Sequence, residues 1–253
     1  MIAWKRGVTG GLVLLAGITL AGDTGLKPAI PVVVELYTSE GCSSCPPADA
    51  VLSKTGATLP VEGVEVIPLS IHVDYWNRLG WADPWSSKFN SERQSAYARA
   101  FRAPSVYTPQ MIVDGAQEFV GSHADKVEPA IRNAARESKW PVRIEVSGST
   151  ASVTVLPPKG NHPAVDVMFA VTESGMESNV RAGENSGRKL KHDFVAVELR
   201  SVGLIGADSA KAAPFEFSFK MPEGHPAHLV AFVQDRATMR ILGAARVPVI
   251  ARR

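Results

Sequence analysis

The chain has 253 residues, with 27 Lys plus Arg against 25 Asp plus Glu and a formal net charge of +2. Hydrophobic residues make up 45% and charged residues 21%, a globular balance that excludes wholesale disorder, and the near-neutral charge argues against a nucleic-acid binder. The two cysteines, Cys42 and Cys45, exclude a multi-disulfide scaffold and a four-cysteine zinc site.

Lys5 and Arg6 precede an apolar run over 7–21 that ends in Thr19-Leu20-Ala21. A positive segment, a short apolar segment and small residues at its end predict a secretory signal at 1–21. The run falls short of the roughly 20 apolar residues that a membrane span needs. The mature protein is therefore expected in the periplasm or secreted, where disulfides persist. It would meet a membrane only through this segment, if uncleaved. Residues 23–30 read as a lead-in.

From 31 to 139 strand-like and helix-like segments alternate. The β-branched run 32–37 predicts a buried strand, 48–59 a helix and 64–73 a second strand. Apolar residues at three- and four-residue steps predict a helix over 87–101. Segments 111–115 and 118–121 flank a Gly-containing turn, a hairpin signal. Ser122-His123-Ala124-Asp125 resembles a capping box opening a helix whose apolar face is Val127, Ala130, Ile131 and Ala134. The order is β-α-β-α-β-β-α, with the first two strands parallel. After Pro141 the period changes to two. Six or seven short strands over 142–253 predict an all-β antiparallel sandwich domain, with Pro248 confining the last strand to an edge.

Cys42-Ser43-Ser44-Cys45 joins the end of a strand to the start of a helix. Unpaired N–H groups at a helix start favour a thiolate there, and such sites lower a cysteine pKa from about 8.5 to between roughly 3.5 and 7.5. Cys42 is expected to project into solvent and to attack a disulfide, and Cys45 to resolve the mixed disulfide. A bridge this short gives little loop-closure stabilisation, which favours chemistry over a passive crosslink. Metal binding and a structural bridge stay open as alternatives.

His72 and Asp74 lie where the second strand ends, on the side of Cys42. Tyr75, Trp76, Trp81 and Trp85 crowd the loop that follows. They form either an aromatic wall beside Cys42, with Trp76 and Trp81 facing substrate, or a packing cluster. His72 would stabilise a thiolate, join the thiolates around Cu(I), or simply pack. The polar loop 180–193, with Gly183, Glu184, Asn185, His192 and Asp193, would bind a ligand, contact the first half, or form a solvated hairpin. His225 and His228 straddle Pro226 and make no helical metal pair. No Ser-His-Asp arrangement, phosphate loop or HExxH is present.

The strand–CxxC–helix junction, the element order and Thr108-Pro109 just before a strand resemble the thioredoxin superfamily over 32–138. The resemblance implies a thioredoxin-like, glutaredoxin-like minimal α/β domain at 31–139. It also implies a cis Thr108–Pro109 bond opposite the cysteines, with Pro109 shaping the substrate groove and the Thr108 backbone pairing with an extended peptide. The chain departs from the pattern at Leu36, which stands where thioredoxins have a buried Asp. Glu35 and Asp74 are the candidates for proton transfer in its place. Pro46-Pro47 suits the first helical positions and makes Cys45 the cap.

The segment from Glu35 to Asp49 is similar to a secreted bacterial thioredoxin-like family of unknown function, domain-of-unknown-function family 1223. The segments His72-Val73-Asp74-Tyr75-Trp76, Gly183-Glu184-Asn185-Ser186-Gly187-Arg188 and His192-Asp193 carry the same similarity.

The sequence thus points to an exported thiol-disulfide oxidoreductase acting on protein or small-molecule disulfides, with Cys42, Cys45 and Pro109 at its centre and no cofactor beyond the cysteines. A copper carrier and a non-enzymatic binding module with a passive disulfide are the alternatives. The redox reading requires a reachable Cys42 sulfur and a Pro109 that lies beside the pair.

Overall fold

The computed structural model describes residues 29–58, 60–209 and 214–249. The expected export segment, 1–21, and the lead-in up to 28 lie outside the described residues. Among the described residues no helix is long and apolar enough to cross a membrane.

β1 (Ile30–Thr38) pairs in parallel with β2 (Val64–His72), from Ile30↔Val64 to Thr38↔His72. Both strands are buried nearly throughout, which explains their continuous apolar runs. α1 (Pro46–Ala57) connects them, with Cys45 at its N-cap and Pro at its first positions, as expected. α2 (Lys88–Phe101) starts at Ser87, whose Oγ accepts the Asn90 N–H at 3.2 Å. β3 (Gln110–Val113) and β4 (Gln117–Val120) form the expected hairpin, and β3 pairs antiparallel with β1. α3 (Ala124–Ala134) begins behind His123 with no side-chain cap, so the capping box expected at Ser122 does not form. Asp125 in the first turn complements the helix dipole instead.

In the second half, β5 (Val142–Ser147), β6 (Thr150–Val155) and β11 (Phe215–Ser218) form a three-stranded antiparallel sheet. β8 (Met176–Asn179) and β9 (Lys189–His192) form a hairpin. β7 (Val165–Glu173), β10 (Val195–Ile205), β12 (Ala227–Asp235) and β13 (Ile241–Val249) are antiparallel neighbours. These four do not stand apart as the larger sheet of a separate sandwich. β10 joins β2 through the pair Val195↔Ser70, giving one mixed eight-stranded sheet in the order β13-β12-β7-β10-β2-β1-β3-β4. Pro248 does fall on an edge strand, since β13 ends this order.

In a flat sheet the five steps from β13 to β1 would span roughly 24 Å. Instead the Ile241 N–H donates to Asp114 O at 2.8 Å, and the Asp114 N–H donates to Val33 O at 2.9 Å. The sheet therefore folds over. One buried cluster unites Val33, Ile67 and Ile71 of the first half, Tyr97 of α2, and Met168 and Phe232 of the second half. The other face of β1, through Val32, Val34 and Leu36, packs on α1 and α3. The three-stranded sheet covers β7 and β12 through Ile144, Val153, Val165 and Val233. This fold-over carries the β8–β9 hairpin to the end of β1 where the cysteines lie.

Candidate functional site

Cys42 and Cys45 are joined by a disulfide between the end of β1 and the start of α1, with Cα atoms 5.5 Å apart. The Thr108–Pro109 bond is cis. Thr108 Oγ1 donates to Cys42 Sγ at 3.4 Å, and Thr108 O lies 4.0 Å from the same sulfur. Pro109 is fixed behind the pair, since its carbonyl accepts the Gly121 N–H at 2.9 Å and Gly121 packs on Ala48 of α1.

Cys42 does not project into solvent. It is 1% exposed and Cys45 is fully buried, although Ser43 and Ser44 between them are exposed. The Ser44 hydroxyl lies 3.2 Å from Cys42 Sγ, and two further groups close the surroundings. The Trp76 indole N–H donates to Thr108 Oγ1 at 2.8 Å, placing its ring beside the loop, and the Trp76 Cβ packs near Gly41. From the second half, the 180–188 tip of the β8–β9 hairpin lies on the cysteine turn. The Asn185 amide donates to Glu40 O at 2.9 Å and to Cys42 O at 2.8 Å. The Glu184 carboxylate accepts the Ser43 N–H at 2.9 Å and the Ser43 Oγ–H at 2.8 Å. The 180–193 loop thus contacts the first half, as one of its sequence readings allowed.

Behind the disulfide lies a buried polar cluster drawn from both halves. The His72 Nδ1–H donates to Asp83 Oδ2 at 2.7 Å, and the same oxygen accepts the Glu40 N–H at 2.9 Å. His192 Nε2 of β9 lies 3.2 Å from Glu40 Oε1, and its Nδ1 lies 3.6 Å from Asp49 Oδ2. The Trp81 indole N–H and the Ser178 hydroxyl both donate to Glu40 Oε2, at 2.7 and 3.1 Å. The Trp85 ring packs edge-on against both imidazoles. Asp49 Oδ1, His72 Nε2 and His192 Nδ1 are buried without a hydrogen-bond partner among the described residues.

Burial pushes the Asp49 carboxyl above its usual range, against the pull of the two histidines. Burial opposes charge on His72, but the Asp83 carboxylate outweighs it and raises the imidazole. Burial likewise opposes charge on Asp83, and His72 outweighs it and lowers the carboxyl.

The structure brings Cys42, Cys45, Thr108, Pro109 and Trp76 together. His72 sits in the cluster behind them, held by Asp83. Trp81 turns its indole N–H to Glu40 rather than towards the sulfur atoms. Glu35 is carried by β1 to the opposite face, where Arg93 Nε donates to it at 2.9 Å. Asp74 accepts the Ser91 hydroxyl at 2.5 Å at the start of α2. Neither carboxylate is therefore engaged with the cysteines. Sequence reasoning missed Glu40, Asp49 and Asp83. Asp49 had a readable signal, since it lies one helical turn after Cys45 on the buried face of α1. Among the described residues no group of His, Cys, Asp and Glu is arranged to hold a metal ion, so no observation supports copper binding through Cys42, Cys45 and His72.

A model described as "Protein of unknown function (DUF1223)" matches residues 33–234, spanning both halves. The chain is similar to protein AGR_C_4864 from Agrobacterium tumefaciens, with 26% identity and a TM-score of 0.68 over 88% of this chain and 96% of that one. It is also similar to HBP35 of Porphyromonas gingivalis, with 16% identity and a TM-score of 0.59 over 88% of this chain and 76% of that one, a likeness of fold alone. No curated protein matches the chain.

Proposed function

The chain belongs to the DUF1223 family of proteins of unknown function, and we propose that it carries out thiol–disulfide exchange through Cys42 and Cys45. A substrate thiolate attacks Cys42 Sγ, a bond forms between the two sulfur atoms, and the Cys42–Cys45 bond breaks. Cys45 leaves as a thiolate and takes up a proton. A second substrate thiolate then attacks the substrate's own sulfur in the mixed disulfide. The substrate leaves as a disulfide and Cys42 as a thiolate, so two electrons have passed to the pair. The same steps in reverse reduce a substrate disulfide.

The observation that carries this proposal is the contact of Thr108 with Cys42 Sγ at the junction of β1 and α1. A peptide strand lying along Thr108 would present its sulfur to Cys42. The 31–139 half then acts as a thioredoxin-like module, and the protein works outside the cytoplasm, in the periplasm or beyond, where disulfide partners persist. Burial of Cys42 counts against this reading, which requires a reachable sulfur, so exchange needs an opening step in which Trp76 and Thr108 move aside.

The same burial favours a second reading, in which the bridge is passive and the hairpin surface does the binding. The reduction potential separates the two. A redox-active pair equilibrates with glutathione or dithiothreitol within the range of known dithiol proteins, and Cys42→Ser abolishes its insulin-disulfide reduction and dithiol oxidation. A potential below about −300 mV, with no exchange towards any small thiol couple, establishes the passive bridge.

A further inference from the structure

We infer that Glu184, supplied by the second half of the chain, is a tuning residue of the Cys42–Cys45 pair that opposes a thiolate on Cys42. As a statement about redox chemistry this rests on the function proposed above.

The Ser44 and Thr108 hydroxyls meet the Cys42 sulfur at 3.2 and 3.4 Å, and the next donors along the chain are those of Ser43. Glu184 Oε2 accepts both of them, the N–H at 2.9 Å and the Oγ–H at 2.8 Å. A carboxylate there places a like charge one residue from the sulfur, and that charge disfavours the thiolate. The two Ser43 donors also hold the Glu184 carboxyl below its usual range, so it is ionised wherever a thiol titrates.

The carboxylate is not there by chance of a loose loop. Asn185, fully buried, anchors the hairpin tip by donating to Glu40 O and Cys42 O, and its own Oδ1 accepts from Arg188 Nη1 at 2.7 Å. The Glu184 N–H donates to Gly41 O at 3.3 Å. Gly183, at φ +77°, adopts the left-handed conformation that lets the tip lie on Gly41. Since a reduced form gains stability with its thiolate, a residue that disfavours the thiolate keeps the pair bonded. In exchange with glutathione, two glutathione thiols become one glutathione disulfide while the pair takes up two electrons and two protons. Glu184 shifts that balance towards the bonded pair.

The test is Glu184→Gln in the full chain, since Gln still accepts from Ser43 but carries no charge. In a Cys45→Ser background only Cys42 titrates, and thiolate absorbance near 240 nm reads its ionisation. The variant is expected to raise the thiolate fraction below the pKa by about three- to tenfold, less at 1 M salt because the carboxylate is exposed to screening. With both cysteines present, the glutathione equilibrium shifts towards the dithiol by a similar factor. Glu177→Gln removes a carboxylate from the same hairpin, one paired with Lys189 and Lys191, and should leave the titration unmoved. An unchanged or raised Cys42 pKa in Glu184→Gln, or an equal shift in Glu177→Gln, overturns the inference. The titration needs no turnover, so a pair that exchanges with no thiol couple defeats the proposed function without touching this result.

Discussion

His72 and Asp83 meet at 2.7 Å with neither side chain exposed, in the polar cluster behind the disulfide. Breaking a buried pair by neutralising one partner costs on the order of 3–5 kcal/mol, because the other is left uncompensated. Asp83→Asn should therefore destabilise the fold by about that amount, read by urea unfolding. The pH dependence has a definite sign. The raised pKa of His72 contributes stability that is complete below its unfolded value near 6.5 and is lost as pH rises through the folded value. The lowered pKa of Asp83 contributes stability that is present above about 3.9 and is lost as pH falls through the folded value. The penalty of Asp83→Asn should peak between roughly pH 4 and 6.5. It should shrink, without vanishing, above that window, since Asp83 also accepts the Glu40 and Trp85 N–H groups. A penalty flat from pH 5 to 9 would mean that the pair is not charged.

Trp76 bonds Thr108, and Thr108 bonds Cys42 Sγ, so the indole holds the cover over the sulfur. Trp76→Phe keeps a ring but removes the donor. A hydrogen bond of this kind is worth about 0.5–1.5 kcal/mol net, which corresponds to roughly a two- to tenfold change in the opening equilibrium. Reduction of the disulfide by excess dithiothreitol should accelerate by that factor. An unchanged rate in Trp76→Phe would show that Trp76 does not control access.

Gly121 closes the far side of the same site. A Cβ there would meet Leu36 Cδ1 at 2.6 Å, Ala48 Cβ at 3.1 Å and Pro109 Cβ at 3.4 Å. Leu36 has a flexible tip, but Ala48 and Pro109 can yield only by shifting α1 or the loop before β3. Gly121→Ala should cost about 1–3 kcal/mol by overpacking, measured by thermal or urea unfolding. Because the displaced groups back Cys45 and Cys42, the rate of disulfide reduction should change as well. Gly63→Ala is the contrast, since its left-handed φ of +72° imposes strain in open space far from the pair. It should lower stability by about 1–2 kcal/mol and leave that rate unchanged.

Much of the first half was legible because its signals are local. The β-branched run of β1, the apolar spacing of α2 and the hairpin of β3 and β4 each need only neighbouring residues. The fold-over of the second half was not, because it turns on Val195↔Ser70 and on Asp114 bridging Val33 to Ile241, contacts that leave no periodic trace. The burial of Cys42 was misjudged for the same reason. Its cover comes from Trp76 and from Asn185, and the latter is 143 positions away. Glu40 and Asp83 read as loop carboxylates in sequence, yet both are buried because histidines from β2 and β9 reach them. Glu35 was expected to serve proton transfer at the pair, but strand alternation turns it to the other face, and its partner there was not foreseen.

That partner is Arg93, and the network around it ties the two halves together. Arg93 Nε donates to Glu35 Oε1 at 2.9 Å, Nη1 to Gln234 Oε1 at 2.6 Å and Nη2 to the Tyr97 hydroxyl at 3.3 Å. The guanidinium also lies 5.2 Å from the Phe232 ring centroid. β1, α2 and β12 thus share one buried cation. Arg93→Met leaves the Glu35 carboxylate buried without a counterion and should cost on the order of 3–5 kcal/mol. Glu35→Gln alone strands the guanidinium and should cost a comparable amount. The double variant removes both charges and fills the space with apolar atoms and one neutral amide. Its cost should fall short of the sum of the single costs by at least about 1 kcal/mol, the coupling expected of residues in one hydrogen-bond network. Urea unfolding of the four proteins of this cycle measures it directly. Additive losses would mean that Glu35 and Arg93 act on the fold separately, and that this network does not tie the halves together.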